Sequence, residues 1–308
     1  MSQTADVVIV GAGIIGGSVA YHLLERDPGL RVVVVEKEPE PGTGATSKAT
    51  GGVRFQFSTE ANVRLTQLSY RYFTHAEEIL GSPVDFARHG YLFVTTDPAT
   101  LEQCRRNVAL QRGLGVASEI LTPAQIQTHL ASLVTHDLVG GSFCADDGSA
   151  DPYSMLQAFL GRAKGRGLRL LTGHPVTGVV KSADRVTGAR TPQGGVERAD
   201  RGRWDAFDAV FRAAALRVPP LAEARVMRAY AGVRDLTPDY HGILGPAAQA
   251  PGLHVACGFS GHGFMHAPAI GILMTEILLD GRASSMDVGA LSLERFAAGK
   301  LCAEANMF

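Results

Sequence analysis

The chain has 308 residues, 45% of them hydrophobic, with 29 basic against 30 acidic side chains for a net charge of −1. That length buries a large core, most readily as two domains, and the balanced charge gives no electrostatic case for a nucleic acid or an anionic membrane surface as partner. The four cysteines, Cys104, Cys144, Cys257 and Cys302, are scattered, with no Cys-x-x-Cys pair and no histidines at zinc spacing; they read as buried free thiols of a reducing compartment, with no metal site expected.

The first thirty-six residues organise the chain. Val7-Val8-Ile9-Val10 predicts a strand buried on both faces, and Gly11-Ala12-Gly13-Ile14-Ile15-Gly16 a tight turn into a helix running to Leu24. In such a turn Gly11 permits the bend, Gly13 lets a pyrophosphate approach the backbone, and Gly16 lets the helix pack on the strand. The helix N-terminus then offers N–H groups and a positive dipole end to phosphates. A second strand, Arg31 to Val35, ends in Glu36, where a carboxylate accepts hydrogen bonds from a ribose 2′-hydroxyl. Strand, turn, helix, strand and acid at these intervals predict an adenine-dinucleotide site. Although Val7 to Leu24 is apolar, it is glycine-rich and has no basic flank, so neither a targeting segment nor a membrane span is expected, and cytoplasmic location is the default expectation.

Further along, Pro39 to Gly44 is turn-rich, and Ala45 to Arg54 has small hydroxyl residues and paired glycines suited to wrapping a ligand. Apolar spacing predicts one helix from Thr59 to Leu80 with Thr59 as N-cap. Gly90 to Val94 predicts a strand, Pro98 to Leu114 a helix ended by Gly115, and Thr122-Pro123-Ala124-Gln125 a capped short helix. Asp151-Pro152 opens a helix from Tyr153 to Lys164. Leu168–Leu171, Val176–Val180 and Val186–Thr191 read as strands, the last in a meander, and Trp204 to Leu216 as an amphipathic helix. Leu253–Cys257 is a strand, followed by Gly258-Phe259-Ser260-Gly261-His262-Gly263 and a helix from about Ala267 to Leu279. Strand, glycine turn and helix thus occur twice, once at each end.

Several of these stretches together resemble the FAD-dependent amino-acid and sarcosine oxidases, the D-amino-acid oxidase family. The matching pieces are Gly11 to Glu36, Ser47 to Arg54, His89-Gly90-Tyr91-Leu92, Asp146 to Pro152, Leu236-Thr237-Pro238-Asp239, and Gly258 to Met265, in family order. The nearest look is to the sarcosine oxidase β-subunit-like and dimethylglycine dehydrogenase-like branch. The resemblance implies an α/β fold with an α+β second domain: a discontinuous Rossmann-like FAD-binding domain (1–80, 150–200 and 227–308) and an antiparallel-sheet substrate domain (81–149 and 201–226). It also implies non-covalent FAD, with Gly11, Gly13, Ile14, Ile15 and Gly16 at the pyrophosphate and Glu36 and Lys37 at the adenosine ribose. Ser47, Gly51 and Gly52 would follow the pyrophosphate and ribityl chain, and Val176 the adenine. Gly258, Gly261, His262, Gly263, Phe264 and Met265 would lie beside the flavin, where a helix N-terminus stabilises charge on the reduced ring.

The chain departs from that family after Asp200, where a block of several strands is missing, so the substrate domain is expected to be truncated. The place of a flavin-linking Cys in some relatives holds Gly232, and Met265 stands where monomeric sarcosine oxidases have a Lys. Arg54, His262 and Met265 are the candidate catalytic positions. Arg54 suits a bidentate contact to a substrate carboxylate. The residues of the chain leave open an ordinary phosphate-side role for Arg54 and a structural one for His262, as for His89, Tyr91 and His241. The expected activity is oxidation of a small amine or amino acid by hydride transfer to flavin N5, with oxygen or a redox partner as acceptor, alone or as a subunit of a larger complex. Two alternatives stand beside it: an FAD-binding but catalytically impaired chain, and, lower, an NAD-dependent dehydrogenase, which the late glycine-rich motif does not fit.

Overall fold

A computed structural model describes residues 4–191, 204–224 and 234–305, with 204–209 as backbone only. The break after Asp200 and the position of Gly232 lie outside the described residues. Strand β1 (Val7–Val10) leads through the glycine turn into helix α1 (Ile14–Arg26) and strand β2 (Val32–Val35). Two short strands, β3 (Gly52–Val53) and β7 (Gly148–Ser149), pair antiparallel beyond them. Between β3 and β7 lie α2 (Glu60–Thr74), α3 (Ala76–Leu80), β4 (Tyr91–Thr95), α4 (Pro98–Gly113), β5 (Glu119–Leu121), α5 (Pro123–His129) and β6 (Gly140–Cys144). Then come α6 (Pro152–Gly165), β8 (Arg169–Leu171), β9 (Gly178–Ser182), β10 (Arg185–Arg190), α7 (Trp204–Arg217), β11 (Ile243–Pro246), β12 (His254–Cys257) and α8 (Gly263–Asp280).

Parallel strands β1, β2 and β8 form one sheet in the order β1-β2-β8. Helices α1, α6 and α8 stack together, and small residues let them approach: a Cβ on Gly271 of α8 would lie 2.3 Å from both Ser18 Oγ and His22 Nδ1 of α1. Ser18 Oγ donates to Ala267 O (2.7 Å), and His22 Nε2 meets Tyr72 Oη of α2 at 2.9 Å, so the polar atoms of this close contact are satisfied. The length and apolarity of α8 alone would let it cross a membrane, but here it is a core helix packed on α1 and α2. The second sheet is antiparallel, in the order β4-β6-β5, over a small core of Leu121, Ile126, Leu133 and Leu138. The capping signals at Thr122 and Asp151 form as the sequence predicts, Thr122 and Gln125 as a reciprocal capping box.

The cysteines are not all buried as expected: Cys144 is, Cys104 is half-buried, and Cys257 and Cys302 are exposed. Four expectations about the elements also need correction. First, β1 is not buried on both faces: Val8 and Val10 are 40% and 61% exposed, because among the described residues β1 pairs only with β2. Second, the single helix over 59–80 is two, broken at His75, where Thr74 Oγ1 donates back to Tyr70 O and meets His75 Nδ1, competing with the helical pattern. Third, Thr59 precedes α2, but its hydroxyl makes no cap; it donates to Glu304 instead. Fourth, α8 starts at Gly263. The expected start near Ala267 is late by one turn, and Pro268 sits inside the helix, since Ser260 (φ +51°) and Gly261 (φ +95°) already complete the turn.

Candidate active site

The two glycine turns open onto one cavity of about 1620 Å³. At one end Gly11 has φ +101° and its N–H donates to Val35 O (2.8 Å), tying the turn to β2. A Cβ on Gly16 would lie 2.0 Å from Gly11 O, so only glycine lets α1 start this close to the turn. Glu36 is held by two amides, its Oε2 accepting from Ala12 N (2.8 Å) and its Oε1 from Glu38 N (2.9 Å). That fixes the carboxylate on the cavity wall with lone pairs left for a ribose hydroxyl. Thr46 was not singled out by the sequence. Its buried Oγ1 accepts from Ile14 N (3.0 Å) and lies beside Gly13, docking the 46–48 turn on the start of α1. That Ile14 amide is therefore engaged inside the protein.

From there the wall runs along Thr46 and Lys48–Gly52 to the second turn, with Val176 on the side of Glu36. The second turn contributes Phe259, Gly261, Gly263, Phe264 and Met265 at the N-terminus of α8. The same cavity is lined by Arg54, Tyr91, Phe93 and Arg234. The Arg54 guanidinium is 4% exposed, lies over the rings of Phe57 (4.5 Å) and Phe93 (5.6 Å), and donates to Gln56 O (3.1 Å). Burial pulls its pKa down, while the carboxylates of Glu304 and Asp147 pull it back up. Burial pushes the Tyr91 phenol above its usual value, so it stays a neutral donor. Arg234 is exposed and packs against Gly261; no periodicity or motif marks it in the sequence beyond its place two residues before Leu236.

Of the residues expected at the cofactor, Gly11, Gly13, Ile14, Ile15, Gly16, Glu36, Lys37, Gly51, Gly52, Val176, Gly261, Gly263, Phe264 and Met265 line the cavity. Ser47, Gly258 and His262 do not. Ser47 faces solvent and its hydroxyl reaches only Gly44 O, so Thr46 takes the place expected of it. Gly258 (φ +70°) shapes the turn, its N–H held by Asp235 Oδ2. His262 turns beneath the cavity, edge-on to Phe57 at 5.0 Å, with its Nε2 unpartnered and its pKa pushed down to about 3 by burial and by Arg54. The ring is buried and is not part of the cavity lining. Among the described residues no group of three or more His, Cys, Asp or Glu is placed to hold a metal.

A long cavity with a glycine turn at each end, a held carboxylate at one pole and two helix N-termini along it has the form of an extended-dinucleotide site. A wall without Cβ atoms at Gly11, Gly13 and Gly51–Gly52 lets the backbone approach a pyrophosphate, so the residues present fit FAD. The fold and site define a flavin-type dinucleotide-binding oxidoreductase. The family model described as FAD dependent oxidoreductase matches residues 6–201 and 197–277, and the chain belongs to that family. The two matched pieces meet at 197–201, where the sequence predicts a break. The chain is 24% identical, over 416 aligned residues, to the FAD-dependent oxidoreductase domain-containing protein 1 of Xenopus laevis, covering 96% of this chain and 83% of that one. That alignment is longer than the chain itself, so the relative has residues with no counterpart here. It is 28% identical over 233 residues to human mitochondrial sarcosine dehydrogenase, covering 72% of this chain and 25% of that protein. Among solved structures it resembles L-proline dehydrogenase from P. horikoshii (TM-score 0.90, 24% identity, 98% of this chain and 100% of that one), a likeness of fold. FAD is the cofactor, and the chain is an FAD-dependent oxidoreductase.

Proposed function

We propose that the chain oxidises the C–N bond of a small amine or amino acid such as sarcosine, dimethylglycine or proline, with oxygen or a redox partner taking the electrons. The observation that carries this reading is that Arg54, Arg234, Tyr91, Phe93 and Met265 line one cavity together with the N-terminus of α8. Two cations and an apolar, aromatic wall suit a molecule with a carboxylate at one end and an aliphatic amine at the other. Arg54 supplies a fixed positive charge, and exposed Arg234 supplies a second that closes on the carboxylate. Met265 and Phe93 keep the amine carbon away from water, and the Tyr91 phenol donates a hydrogen bond. FAD, when bound, supplies the two-electron acceptor. The start of α8 brings N–H groups and a positive dipole end to the cavity wall, which would stabilise negative charge on a reduced cofactor held there. A substrate amine bound in its neutral form needs no protein base. The related sarcosine dehydrogenase and dimethylglycine dehydrogenase support the substrate class.

The second reading, a chain that holds FAD without turning over, is favoured by the exposed outer edge of β1. An absorption spectrum separates them. Flavin bands that bleach on anaerobic addition of sarcosine, N,N-dimethylglycine, L-proline or glycine support the first reading and name the substrate. Bands that persist with all four support the second.

A further inference from the structure

The stretch that carries Arg54 into the cavity, residues 54–62, is clamped at both ends by carboxylates from distant parts of the chain. At the first end Asp147, from the turn between β6 and β7, accepts from Phe55 N (2.7 Å) and Gln56 Nε2 (2.9 Å). At the other end Glu304, which is 2% exposed, receives four donors. Its Oε1 accepts from Ser58 N (2.7 Å) and Ser58 Oγ (2.5 Å), and its Oε2 from Thr59 Oγ1 (2.9 Å) and Asn62 Nδ2 (2.9 Å). The backbone of Glu304 is itself fixed, since its N–H donates to Asp239 O (3.1 Å) and Asp239 forms a buried ion pair with Arg295 (2.8 Å). Glu304 therefore sits at the N-terminus of the fifteen-residue helix α2, where the helix dipole favours an anion. From α2, Thr66 Oγ1 donates to Arg54 O (2.9 Å), which couples the helix back to the arginine.

We propose that Glu304 is a positioning residue for Arg54: it locks Ser58, Thr59 and Asn62, and through α2 and Thr66 it sets where the guanidinium faces the cavity, while providing a buried countercharge. A glutamate 250 positions from Arg54 in sequence thereby belongs to the carboxylate-binding end of the site. The inference rests on the reading of Arg54 given above.

The test uses the FAD-loaded protein with acetate as a carboxylate probe, followed through the visible flavin spectrum, together with thermal midpoints. Glu304→Gln keeps the size but puts an NH2 where one accepting oxygen stood, which breaks the clamp on that side. It is expected to weaken acetate by about tenfold, the scale of a charge-assisted hydrogen bond, with FAD affinity unchanged. Ser58→Ala, which removes one donor, is expected to act in the same direction by less, and keeps the test alive if Glu304→Gln folds poorly. In an Arg54→Met background, Glu304→Gln should cost no further acetate affinity, and the two thermal shifts should be non-additive. Acetate affinity kept in Glu304→Gln but lost in Arg54→Met overturns the proposal. If Arg54→Met leaves acetate unaffected, the carboxylate role of Arg54 falls on its own. The thermal cycle then decides for Glu304: additive shifts overturn the coupling, and non-additive shifts uphold it.

Discussion

Strands β1 and β2 are nearly the same peptide, Val-Val-Ile-Val against Val-Val-Val-Val, lying side by side in parallel register. Yet β2 is buried throughout, its four valines 0–6% exposed, while Val8 and Val10 of β1 stand open. The difference is position. Strand β2 has β1 on one side and β8 on the other, whereas β1 has a neighbour on one side only among the described residues. A four-residue apolar run specifies a strand, but its burial is decided by what the rest of the chain places against it. The outer side of β1, Ala5 to Val10, is instead part of the cavity wall, shared with His254 and Ala256 of β12 and Met274 of α8.

The largest effect is expected on the face that β1 does cover. In Gly16→Val the new side chain meets Gly11 O at 2.0 Å and the Ile9 side chain at 3.3 Å, and backbone cannot yield as a side-chain tip does. A loss of about 3 kcal/mol in urea unfolding, with loss of bound FAD, is expected. A variant that keeps both would mean that α1 does not start on β1 as closely as described.

Burial by neighbours sets charge as well as packing. Asp147 is fully buried, and that burial pushes its carboxyl up to about 6, opposed by the hydrogen bonds from Gln56 and Phe55 and by Arg54. A folded pKa above the unfolded value of 3.8 means that the native state holds the proton longer. This group's contribution is then most favourable below pH 4 and declines as pH rises to about 6, by at most about 3 kcal/mol. The buried histidines His22 and His262, pushed down to about 4 and about 3, and His266, held well below its usual value by burial, act in the opposite sense, favouring the fold as pH rises toward 6.5. The difference between wild type and Asp147→Asn isolates the carboxyl. Urea midpoints measured from pH 4 to 7 should show the variant gaining on wild type as pH rises, and a constant difference would place Asp147 in contact with water.

The same logic decides how much was legible beforehand. The dinucleotide end was readable because its chemistry is local: Gly11, Gly13, Gly16 and Glu36 lie within one βαβ unit, and spacing alone brings them together. The family motifs extended this to Gly51–Gly52 and Gly261–Met265. What stayed hidden depends on contacts between distant residues. Thr46 rather than Ser47 turns inward because the 46–48 turn docks on Ile14. Thr59 gives its hydroxyl to a glutamate 245 residues on. His262 and Met265 are three residues apart in one motif, yet one lies under the cavity and the other on its wall. Arg234 becomes part of the site only where it folds against Gly261.

Within the sheet the contrast is sharpened by matched truncations. Val34 of β2 is fully buried, so Val34→Ala removes two methyls and leaves a cavity, at an expected cost of about 2 kcal/mol. Val34 pairs with Ile9 on one side and Leu170 on the other, which limits collapse into the space.

Val10→Ala is the smallest effect and the more informative member of the pair. At 61% exposure Val10 has most of its surface in water, so its truncation should change stability by less than about 0.5 kcal/mol. The backbone is the same, the residue type is the same, and the register is known, so propensity cancels and only cover remains. A cost near that of Val34→Ala, measured as the shift in urea midpoint at constant m, would mean that something packs on the outer side of β1 in solution. If that cost fell on dilution of the protein, the cover would be a second molecule; if it persisted, it would come from the same chain. The edge of β1 would then be a closed face of the sheet, and the wide cavity would narrow to the dinucleotide path alone.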